Sequence, residues 1–443
     1  MPTPPLPSAI DLLIEARWII PVEPFGTTLE NHAVAIKDGQ IVALMPQGPA
    51  REAFDARETV QLGNQLLLPG LVNLHTHGAM SLLRGLADDL PLMSWLQEHI
   101  WPAEGRFVSR EFVRDGTLLA VAEMLRGGTT CFSDMYFFPQ DAAAAALQLG
   151  MRAALGLTVL EFPNAYACDA EDYLAKGLAA REALGDEPLL SFCLAPHAPY
   201  TVADSTFERI LTLAEQLDIP IHLHLHETEA EIRESIERHG VRPLERLRRL
   251  GLVGPGLIAA HGVHLLQEEI ELLAAQGCSI AHCPSSNLKL ASGIAPVAAM
   301  LEAGINVGIG TDGAASNNRL DLLSDLRLAA LLAKGSSGDA RSLDAHTALR
   351  LATLNGARAL GLEERIGSIA IGKAADLCSI DLEHFELSPC YAPASHAVYS
   401  AGREHISHVW VSGQLKVENG SLCGIGKNHL IGLGKVWQNK IRD

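Results

Sequence analysis

The sequence predicts an α/β protein in which a (β/α)8 barrel is accompanied by a small β domain built from both ends of the chain. Three observations predict this fold. Short apolar runs of strand type alternate with amphipathic helical patterns from about residue 67 to residue 370. Candidate metal ligands stand at the ends of several of these runs. The two terminal segments instead alternate apolar and polar residues between turn residues.

The barrel is predicted from eight strand candidates. Because helical patterns such as STFERILTLAEQLD, TEAEIRESIERHG and LDLLSDLRLAALLAKG lie between them, neighbouring strands are expected to be parallel, and eight parallel strands can close into a barrel. In chain order the candidates are LLLPGLVNLH, TTCFSDMY, AALGLTVL, LLSFCLAPH, PIHLHLH, GLIAAH, CSIAHC and INVGIGTD. We therefore assign residues 67–370 to a barrel domain.

The small β domain is predicted from the two ends of the chain, residues 1–66 and 371–443. Both ends read as β-hairpin material because short alternating runs are separated by turn residues. The runs are ARWIIPV, HAVAIKDGQIVALM and TVQLGNQLLL in the first segment, and ADLCSIDL, HAVYSAG and ISHVWVSGQLKVENG in the second. A single sheet domain assembled from both termini is the simplest arrangement.

Composition narrows the class of protein. A chain of 443 residues that is 48% hydrophobic can bury a large core. A formal net charge of −18 argues against a nucleic acid or an anionic membrane surface as partner, because proteins that bind those surfaces display clustered lysine and arginine. The ligand is therefore expected to be a small molecule.

The cysteines and the first residues of the sequence indicate the cellular compartment in which the protein is expected. The eight cysteines lack the short paired spacings of a zinc ribbon or a disulfide scaffold, so we expect reduced and mostly buried thiols. The first apolar run is interrupted by Asp11, Glu15 and Arg17 and has no basic start, unlike a signal peptide. No stretch is apolar enough to cross a bilayer, and a cytoplasmic protein is expected.

Histidines and one aspartate at strand ends predict a metal centre. His75 and His77 lie on one side of an extended segment because side chains alternate with a period of two. His261 and Asp312 end two later strands. The strand PIHLHLH offers three candidates on one face, and its periodicity does not choose among them: His222, His224 and His226. Imidazoles with one carboxylate suit a catalytic divalent metal that keeps a position open for water.

Two carboxylates are candidates for chemistry. Asp312 ends the apolar run INVGIGT, where a carboxylate is costly unless it is hydrogen-bonded or bound to a cation. Glu227 lies just beyond a strand and could protonate a substrate nitrogen if burial raises its pKa. Glu227 could equally be an acidic residue that stabilises the start of the next helix.

Six segments taken together resemble the amidohydrolase superfamily and, within it, the 5'-methylthioadenosine/S-adenosylhomocysteine deaminases. The resemblance covers nearly the whole chain. The segments are HTHGAMSLLRGLADDLPLMSWLQEHIWPAE, APHAPYT, HLHLHETEAE, AAHGVHL, HCPSSNLKLASGIAP and GTDGAASNN. The resemblance implies a TIM-type barrel beside a β-sandwich made from both termini. It also implies one metal ion, usually zinc, with iron or another divalent metal as an alternative.

The resemblance also assigns roles to residues. The implied metal ligands are His75, His77, His224 and Asp312. His261 corresponds to the histidine that orients the attacking water, Glu227 to the proton-transfer glutamate, and Asp312 to the residue that accepts the proton of the water. The implied substrate contacts are Glu104 at the ribose hydroxyls, His197, Glu227, Asp312 and Ser316. Because LLSFCLAPHAPY contains no lysine to bridge a second ion, a mononuclear site is expected.

The implied reaction is hydrolytic deamination of the adenine ring of 5'-methylthioadenosine, S-adenosylhomocysteine or adenosine, giving an inosine-type product and ammonia. For the amino-acid tail of adenosylhomocysteine, the segment from Phe162 to Leu190 offers only Arg181, and no matching motif. The choice among the three nucleosides therefore stays open, as does a homo-oligomeric state. Alternatives are deamination of guanine-type or pterin bases, dechlorination of triazines, or metal binding without catalysis.

Overall fold

The computed structural model describes residues 7–442, so the first six residues and the last residue of the predicted terminal segments lie outside it. The described chain opens with strands of a mixed sheet. These strands are β1 (Ser8–Ile19), β2 (Leu29–Lys37), β3 (Gln40–Pro46), β4 (Phe54–Gln61) and β5 (Gln65–Pro69). β1 is the centre of this part, because it pairs antiparallel with β2 and parallel with β4 and β5.

Eight parallel strands then form the barrel, as the sequence predicts. Their order in the sheet follows the chain from first to last. The strands are β6 (Leu71–Thr76), β7 (Thr129–Tyr136), β8 (Arg152–Val159), β9 (Leu190–Pro196), β10 (Ile221–Leu225), β11 (Leu257–His261), β12 (Ser279–His282) and β13 (Asn306–Ile309). Their side chains are almost all buried, as expected of a parallel sheet covered by helices.

The barrel is closed between β13 and β6 by side chains and by the loop after β13 rather than by a strand ladder. The Thr311 backbone N–H donates to Asn73 Oδ1 at 3.0 Å, and the Asp312 N–H donates to the carbonyl of His75 at 2.9 Å. Gly310 permits this approach, since a Cβ there would lie 2.8 Å from the Cβ of His75. Closure therefore brings Asp312 directly beside the first strand.

Four strands near the C-terminus complete the mixed sheet. They are β14 (Leu377–Asp381), β15 (Ile406–Val411), β16 (Gln414–Glu418) and β17 (Ser421–Leu422). β14 pairs with β5, so the nine strands from both ends of the chain belong to one sheet. A shared core contains residues of both terminal segments, such as Ile14, Val34, Leu377 and Trp410. The predicted union of the two termini is confirmed.

One predicted strand is divided. The run LLLPGLVNLH was expected to be a single barrel strand, but β5 belongs to the mixed sheet and only β6 to the barrel. Gly70 lies at the division, where a Cβ would be 2.1 Å from Thr130 Oγ1. We therefore propose that the predicted boundary between residues 66 and 67 be moved to Gly70.

Helices surround the barrel, and the short segments Gly78–Leu83, Trp95–Ile100, Leu351–Asn355, Phe385–Leu387, His396–Ser400 and Arg403–His405 are also helical. In chain order, the helices are α1 (Gln47–Ala53), α2 (Leu92–Ser94), α3 (Trp101–Phe107), α4 (Arg110–Arg126), α5 (Pro139–Leu149), α6 (Ala170–Leu184), α7 (Asp204–Leu217), α8 (Glu229–His239), α9 (Pro243–Arg249), α10 (Gln267–Ala275), α11 (Pro284–Lys289), α12 (Val297–Glu302), α13 (Leu322–Ser337), α14 (Ala345–Arg350), α15 (Gly356–Ala359), α16 (Pro393–Ser395) and α17 (Lys427–Arg442). Within residues 7–442 no helix has the length and apolarity needed to cross a membrane.

Two parts of the C-terminal segment differ from the predicted hairpins. The run HAVYSAG is mostly helical and continues from α16, with Ala397 and Val398 buried. The chain then ends in α17, which the alternation pattern did not predict. Trp437 on α17 is buried, and its Nε1–H donates to Asp115 on α4 at 2.9 Å. The end of the chain thus packs on a barrel helix rather than extending the sheet.

All eight cysteines are free, and five of them are buried. The buried ones are Cys131, Cys193, Cys278, Cys283 and Cys378. The expectation of mostly buried thiols is confirmed, whereas their reduced state stays a prediction.

A candidate metal centre at the strand ends

The predicted ligands meet at the carboxyl ends of the strands. Nitrogens of His75 and His77 on the β6 segment and of His224 on β10 lie within 4.8 Å of one another. Asp312 joins them, with Oδ1 at 3.5 Å from His75 Nε2 and 3.3 Å from His77 Nε2. The Nε2 atoms of His224 and His77 are 3.3 Å apart. Side chains from two further strand ends, His224 and Asp312, therefore both approach the pair His75 and His77.

Hydrogen bonds on the far side of the rings orient the imidazoles. His77 Nδ1–H donates to the carbonyl of Met135 at 2.6 Å, and His224 Nδ1–H donates to the carbonyl of His197 at 2.7 Å. Because the proton of each ring is on Nδ1, the Nε2 lone pairs point at the shared space. This is the tautomer that a metal ligand requires.

The structure separates the three histidines of β10. His222 Nε2 lies 3.1 Å from His75 Nδ1, and its Nδ1 lies 3.2 Å from Ser133 Oγ, so this ring supports His75 from behind. His226 turns away, because its Nε2 accepts the backbone N–H of Leu244 at 3.1 Å. Of the three, His224 is the one whose Nε2 lies beside that of His77, and it is the residue that the resemblance implies as a ligand.

Asp312 is held by three donors. Its Oδ2 accepts hydrogen bonds from Ser286 Oγ at 2.6 Å and from Ser316 Oγ at 2.8 Å, and its Oδ1 accepts one from the N–H of Gly313 at 2.7 Å. Burial opposes ionisation, but His75 and His77 outweigh it and hold the pKa of the carboxyl well below its usual range. Asp312 is therefore an anion at neutral pH.

Burial acts in the opposite direction on four imidazoles around this point, because it favours their neutral form. Burial lowers the pKa of His75 to about 4 and that of His197 to about 3. Burial likewise holds the pKa values of His222 and His224 well below the ordinary value. Neutral imidazoles keep the lone pairs that a metal ion needs.

Three residues at these strand ends have left-handed backbone conformations. The φ angles of His226, His261 and Asp312 are 53°, 74° and 61°. Non-glycine residues seldom adopt this region, and such strain is concentrated at functional sites. His261 and Asp312 line the cavity described below, whereas His226 precedes Glu227.

Glu227 and His261 stand beside the cluster. His261 Nε2 lies 3.7 Å from Glu227 Oε2, and His261 Nδ1–H donates to Asn287 Oδ1 at 2.8 Å. Burial raises the pKa of Glu227, while His261 partly opposes the shift. Burial lowers the pKa of His261, but Glu227 and Asp312 outweigh it, so the net shift is upward. Glu227 therefore favours the protonated form more than an exposed glutamate does.

A cavity of about 440 Å³ opens onto this cluster. Every predicted site residue except His75 lines it, and His75 lies fully buried behind the others. Glu104 reaches the cavity from α3, and Tyr136 on β7 donates a hydrogen bond to Glu104 Oε1 at 2.6 Å. His197 Nδ1 lies 3.1 Å from Thr201 Oγ1. The structure therefore brings the predicted substrate contacts into one cavity with the candidate ligands.

Sequence reasoning did not identify the apolar wall of the cavity. It comes mainly from the helical segment 92–107, and Phe162 lies across from it with its ring centroid 6.1 Å from that of Trp101. The wall includes Leu92, Trp95, Leu96, Ile100, Trp101 and Phe162. All but Phe162 lie in PLMSWLQEHIWPAE, at positions 92, 95, 96, 100 and 101, a pattern that could have indicated an amphipathic helix.

The charges of the lining are all acidic. Glu104, Glu227 and Asp312 line the cavity, whereas no arginine or lysine of residues 7–442 does so. Arg181, the candidate from the sequence, lies on α6 away from the lining. Within residues 7–442, the cavity therefore has no lysine or arginine side chain to pair with an anionic substrate group.

The donor set fits a divalent metal. His75 Nε2 is buried and has no hydrogen-bond partner among the described residues, which is costly for a polar atom unless another group satisfies it. Three imidazole nitrogens and a carboxylate oxygen form the kind of set that zinc favours. The unsatisfied atom faces the point shared by the other ligands.

A parallel barrel with such a cluster at its carboxyl-terminal face, open to a deep cavity, defines the class of metal-dependent barrel hydrolases. Residues 66–416 match the amidohydrolase family. The chain belongs to this family.

Relatives and solved structures agree with this membership. Proteins named 5-methylthioadenosine/S-adenosylhomocysteine deaminase from Saccharophagus degradans and Teredinibacter turnerae are 46% and 45% identical to the chain, with 98% of it covered in both cases and 97% and 98% of their own lengths. A solved adenosine deaminase from Xanthomonas campestris with bound zinc has a TM-score of 0.97 and 50% identity, covering 98% of this chain and 99% of that one. The zinc complex of an atrazine chlorohydrolase from Arthrobacter aurescens has a TM-score of 0.89 and 25% identity, covering 96% and 99%.

Proposed function

We propose that this protein is a zinc-dependent aminohydrolase that deaminates the adenine ring of 5'-methylthioadenosine and related nucleosides, releasing ammonia and an inosine-type product. The observation that carries the proposal is the convergence of three imidazoles and one carboxylate beside Glu227 in a cavity of about 440 Å³. That volume lies in the range of small-ligand sites. The names of the relatives support the same chemistry.

The ion is proposed to be one zinc, bound by His75, His77, His224 and Asp312. When bound, zinc activates water for attack on carbon near neutral pH. Strand β9, whose sequence is LSFCLAP, has no lysine that could bridge a second ion. This supports a single ion.

The side chains around the ligands would move the protons. Glu227 would donate a proton to N1 of the adenine ring, which makes C6 more electrophilic. Asp312, ionised, would accept a proton from the attacking water and pass it to the departing amino group. His261, fixed by Asn287, would orient the water and stabilise the negative charge that develops.

The cavity supports a nucleoside with an uncharged 5' substituent. One carboxylate oxygen of Glu104 is engaged by Tyr136, and the other would bind ribose hydroxyls. The rest of the lining is largely apolar and holds three carboxylates and no cation among the described residues. A methylthio group suits these surroundings, whereas the carboxylate of an adenosylhomocysteine tail would find no partner there. His197 and Ser316 would complete the contacts.

Steady-state kinetics on zinc-loaded protein test the proposal. Ammonia release and the ultraviolet change at C6 are measured for 5'-methylthioadenosine, S-adenosylhomocysteine and adenosine, with a guanine-type base, a pterin and a chlorotriazine as alternative substrates. We expect the highest kcat/KM on 5'-methylthioadenosine, with activity lost after chelation and restored by zinc. Turnover of a base or a triazine, but of no nucleoside, would refute the assignment.

A further inference from the structure

The turn between β10 and α8 contains a buried carboxylate to which neither the metal centre nor the cavity assigns a role. Glu231 is 5% exposed and lies on the first turn of α8. Its side chain does not line the active cavity but a second cavity of about 340 Å³, which shares Tyr200 and Phe162 with the first. Glu231 is therefore close to the site without facing the substrate.

Both oxygens of Glu231 bind the backbone that carries Glu227. Glu231 Oε1 accepts the N–H of His226 at 3.2 Å, and Oε2 accepts the N–H of Glu227 at 2.9 Å. No lysine or arginine of the described chain forms an ion pair with this carboxylate. Its hydrogen-bond partners are thus the two backbone groups just before the helix.

The two hydrogen bonds of Glu231, called here the Glu231 clamp, hold a turn whose backbone conformation is unfavourable. His226 has a φ angle of 53°, an unfavourable conformation for a residue other than glycine, and the residue that follows it, Glu227, lines the cavity. Thr228 already caps the helix, since its Oγ1 accepts the N–H of Glu231 at 3.2 Å. The cap therefore does not require the buried carboxyl of Glu231. Burial makes the ionised form of Glu231 costly and raises the pKa of this carboxyl to about 7.

We infer that Glu231 is a positioning residue, which holds the strained turn so that the Glu227 carboxyl stays aimed at the substrate. This inference rests on the proposed function, because it assumes that Glu227 transfers a proton to the ring. Glu231 itself would touch neither the substrate nor the metal. Its effect should then appear in kcat and should require an intact Glu227.

The test is a double-mutant cycle with Glu231→Gln, Glu227→Gln and the double variant on zinc-loaded protein. Glutamine has nearly the same size as glutamate, but an NH2 group replaces one carboxylate oxygen. This NH2 group cannot accept the hydrogen bond of the backbone N–H that it faces. Losing one such bond should lower kcat by roughly tenfold and leave KM within about twofold. In the Glu227→Gln background the same change should cost less than about twofold, since the group being positioned is gone.

Glu234→Gln is the matched control, because Glu234 lies on the same helix and its partner is the exposed Arg238. It should behave as wild type. Zinc content and thermal midpoint are measured for every variant. Glu231→Gln should keep its zinc and stay folded at the assay temperature, with its midpoint lowered by a few degrees through the lost hydrogen bond. Equal losses with and without Glu227, or a loss of zinc or of folded protein that accounts for the lower rate, would overturn the inference. If wild type deaminates no nucleoside, the proposed function fails first, and this inference fails with it.

Discussion

At the scale of single residues, the surroundings decide which groups of the site carry charge. His75 and His224 are buried, so water stabilises a proton on them poorly and their pKa values are lowered. Asp312 is equally buried but accepts three hydrogen bonds and faces imidazoles, so it is ionised. Glu227 accepts no comparable set of donors, and burial dominates its pKa. Two carboxylates in one cavity are thereby suited to opposite roles.

The role of Glu227 gives a prediction at this scale. Glu227→Gln keeps the shape of the side chain but removes its ability to donate and take back a proton. We expect kcat to fall by about 10²–10⁴-fold, the range of general acid–base catalysis, with zinc content unchanged. Glu229→Gln serves as control, because Glu229 lies two residues away and is exposed. Steady-state assays with metal analysis decide the matter, and a Glu227→Gln enzyme within tenfold of wild type would exclude the proton-transfer role.

At the scale of elements, helix α4 supports the turn that follows the first pair of ligands. The helical segment Gly78–Leu83 begins immediately after His77. Gly116 on α4 packs against it so closely that a Cβ would lie 2.3 Å from the carbonyl oxygen of Ala79. Trp437 of α17 packs in turn on α4, with its ring centroid 5.3 Å from that of Phe112. The last helix of the chain therefore stabilises a layer that lies under the metal centre.

Gly116→Ala tests this packing. Alanine usually stabilises a helix, but here its methyl group must displace the backbone of Ala79. We expect a loss of about 1–3 kcal/mol in the free energy of unfolding, as for other overpacked sites, together with reduced zinc affinity. Gly335→Ala on α13 has open space around it and should instead stabilise by about 0.5–1 kcal/mol. Urea unfolding of both variants gives the comparison, and the packing argument is wrong if the two changes have the same sign.

At the scale of the whole molecule, a buried ion pair joins the barrel to the sheet of the two termini. Arg152 on β8 donates to both oxygens of Asp376, at 3.0 and 3.2 Å, just before β14 begins. Asp376 Oδ1 also accepts the N–H of Ser412 from the turn after β15. Both charged side chains are almost fully buried. The two parts of the fold are therefore connected by charge as well as by apolar packing.

Breaking this pair should destabilise the fold. Asp376→Asn leaves the Arg152 guanidinium buried without a counter-charge, and such changes cost about 3–5 kcal/mol. Asp339→Asn breaks the exposed pair with Arg341 and should leave the unfolding midpoint unchanged within error. Urea denaturation followed by circular dichroism measures both variants. Similar midpoints for the two would show that the buried pair contributes nothing to the connection between the barrel and the sheet.

The sequence by itself determined the eight strand candidates, the acidic net charge and the positions of most candidate ligands, because these depend on local alternation and on residue type. Tertiary structure alone decided which histidine of β10 serves the cluster. His222, His224 and His226 share one periodicity, and only their partners elsewhere in the chain distinguish them. His222 contacts Ser133 and His75. His224 contacts His77 and the carbonyl of His197, and His226 contacts Leu244.

The same reason explains the other differences. Gly70 divides an apolar run because the two halves pair with different sheets, and no local pattern records which partner a strand will find. The apolar wall of the cavity and the clamp of Glu231 on the turn before α8 likewise depend on contacts made after folding. Residue type determines the chemistry available to a side chain, and the closed barrel determines which groups that side chain contacts.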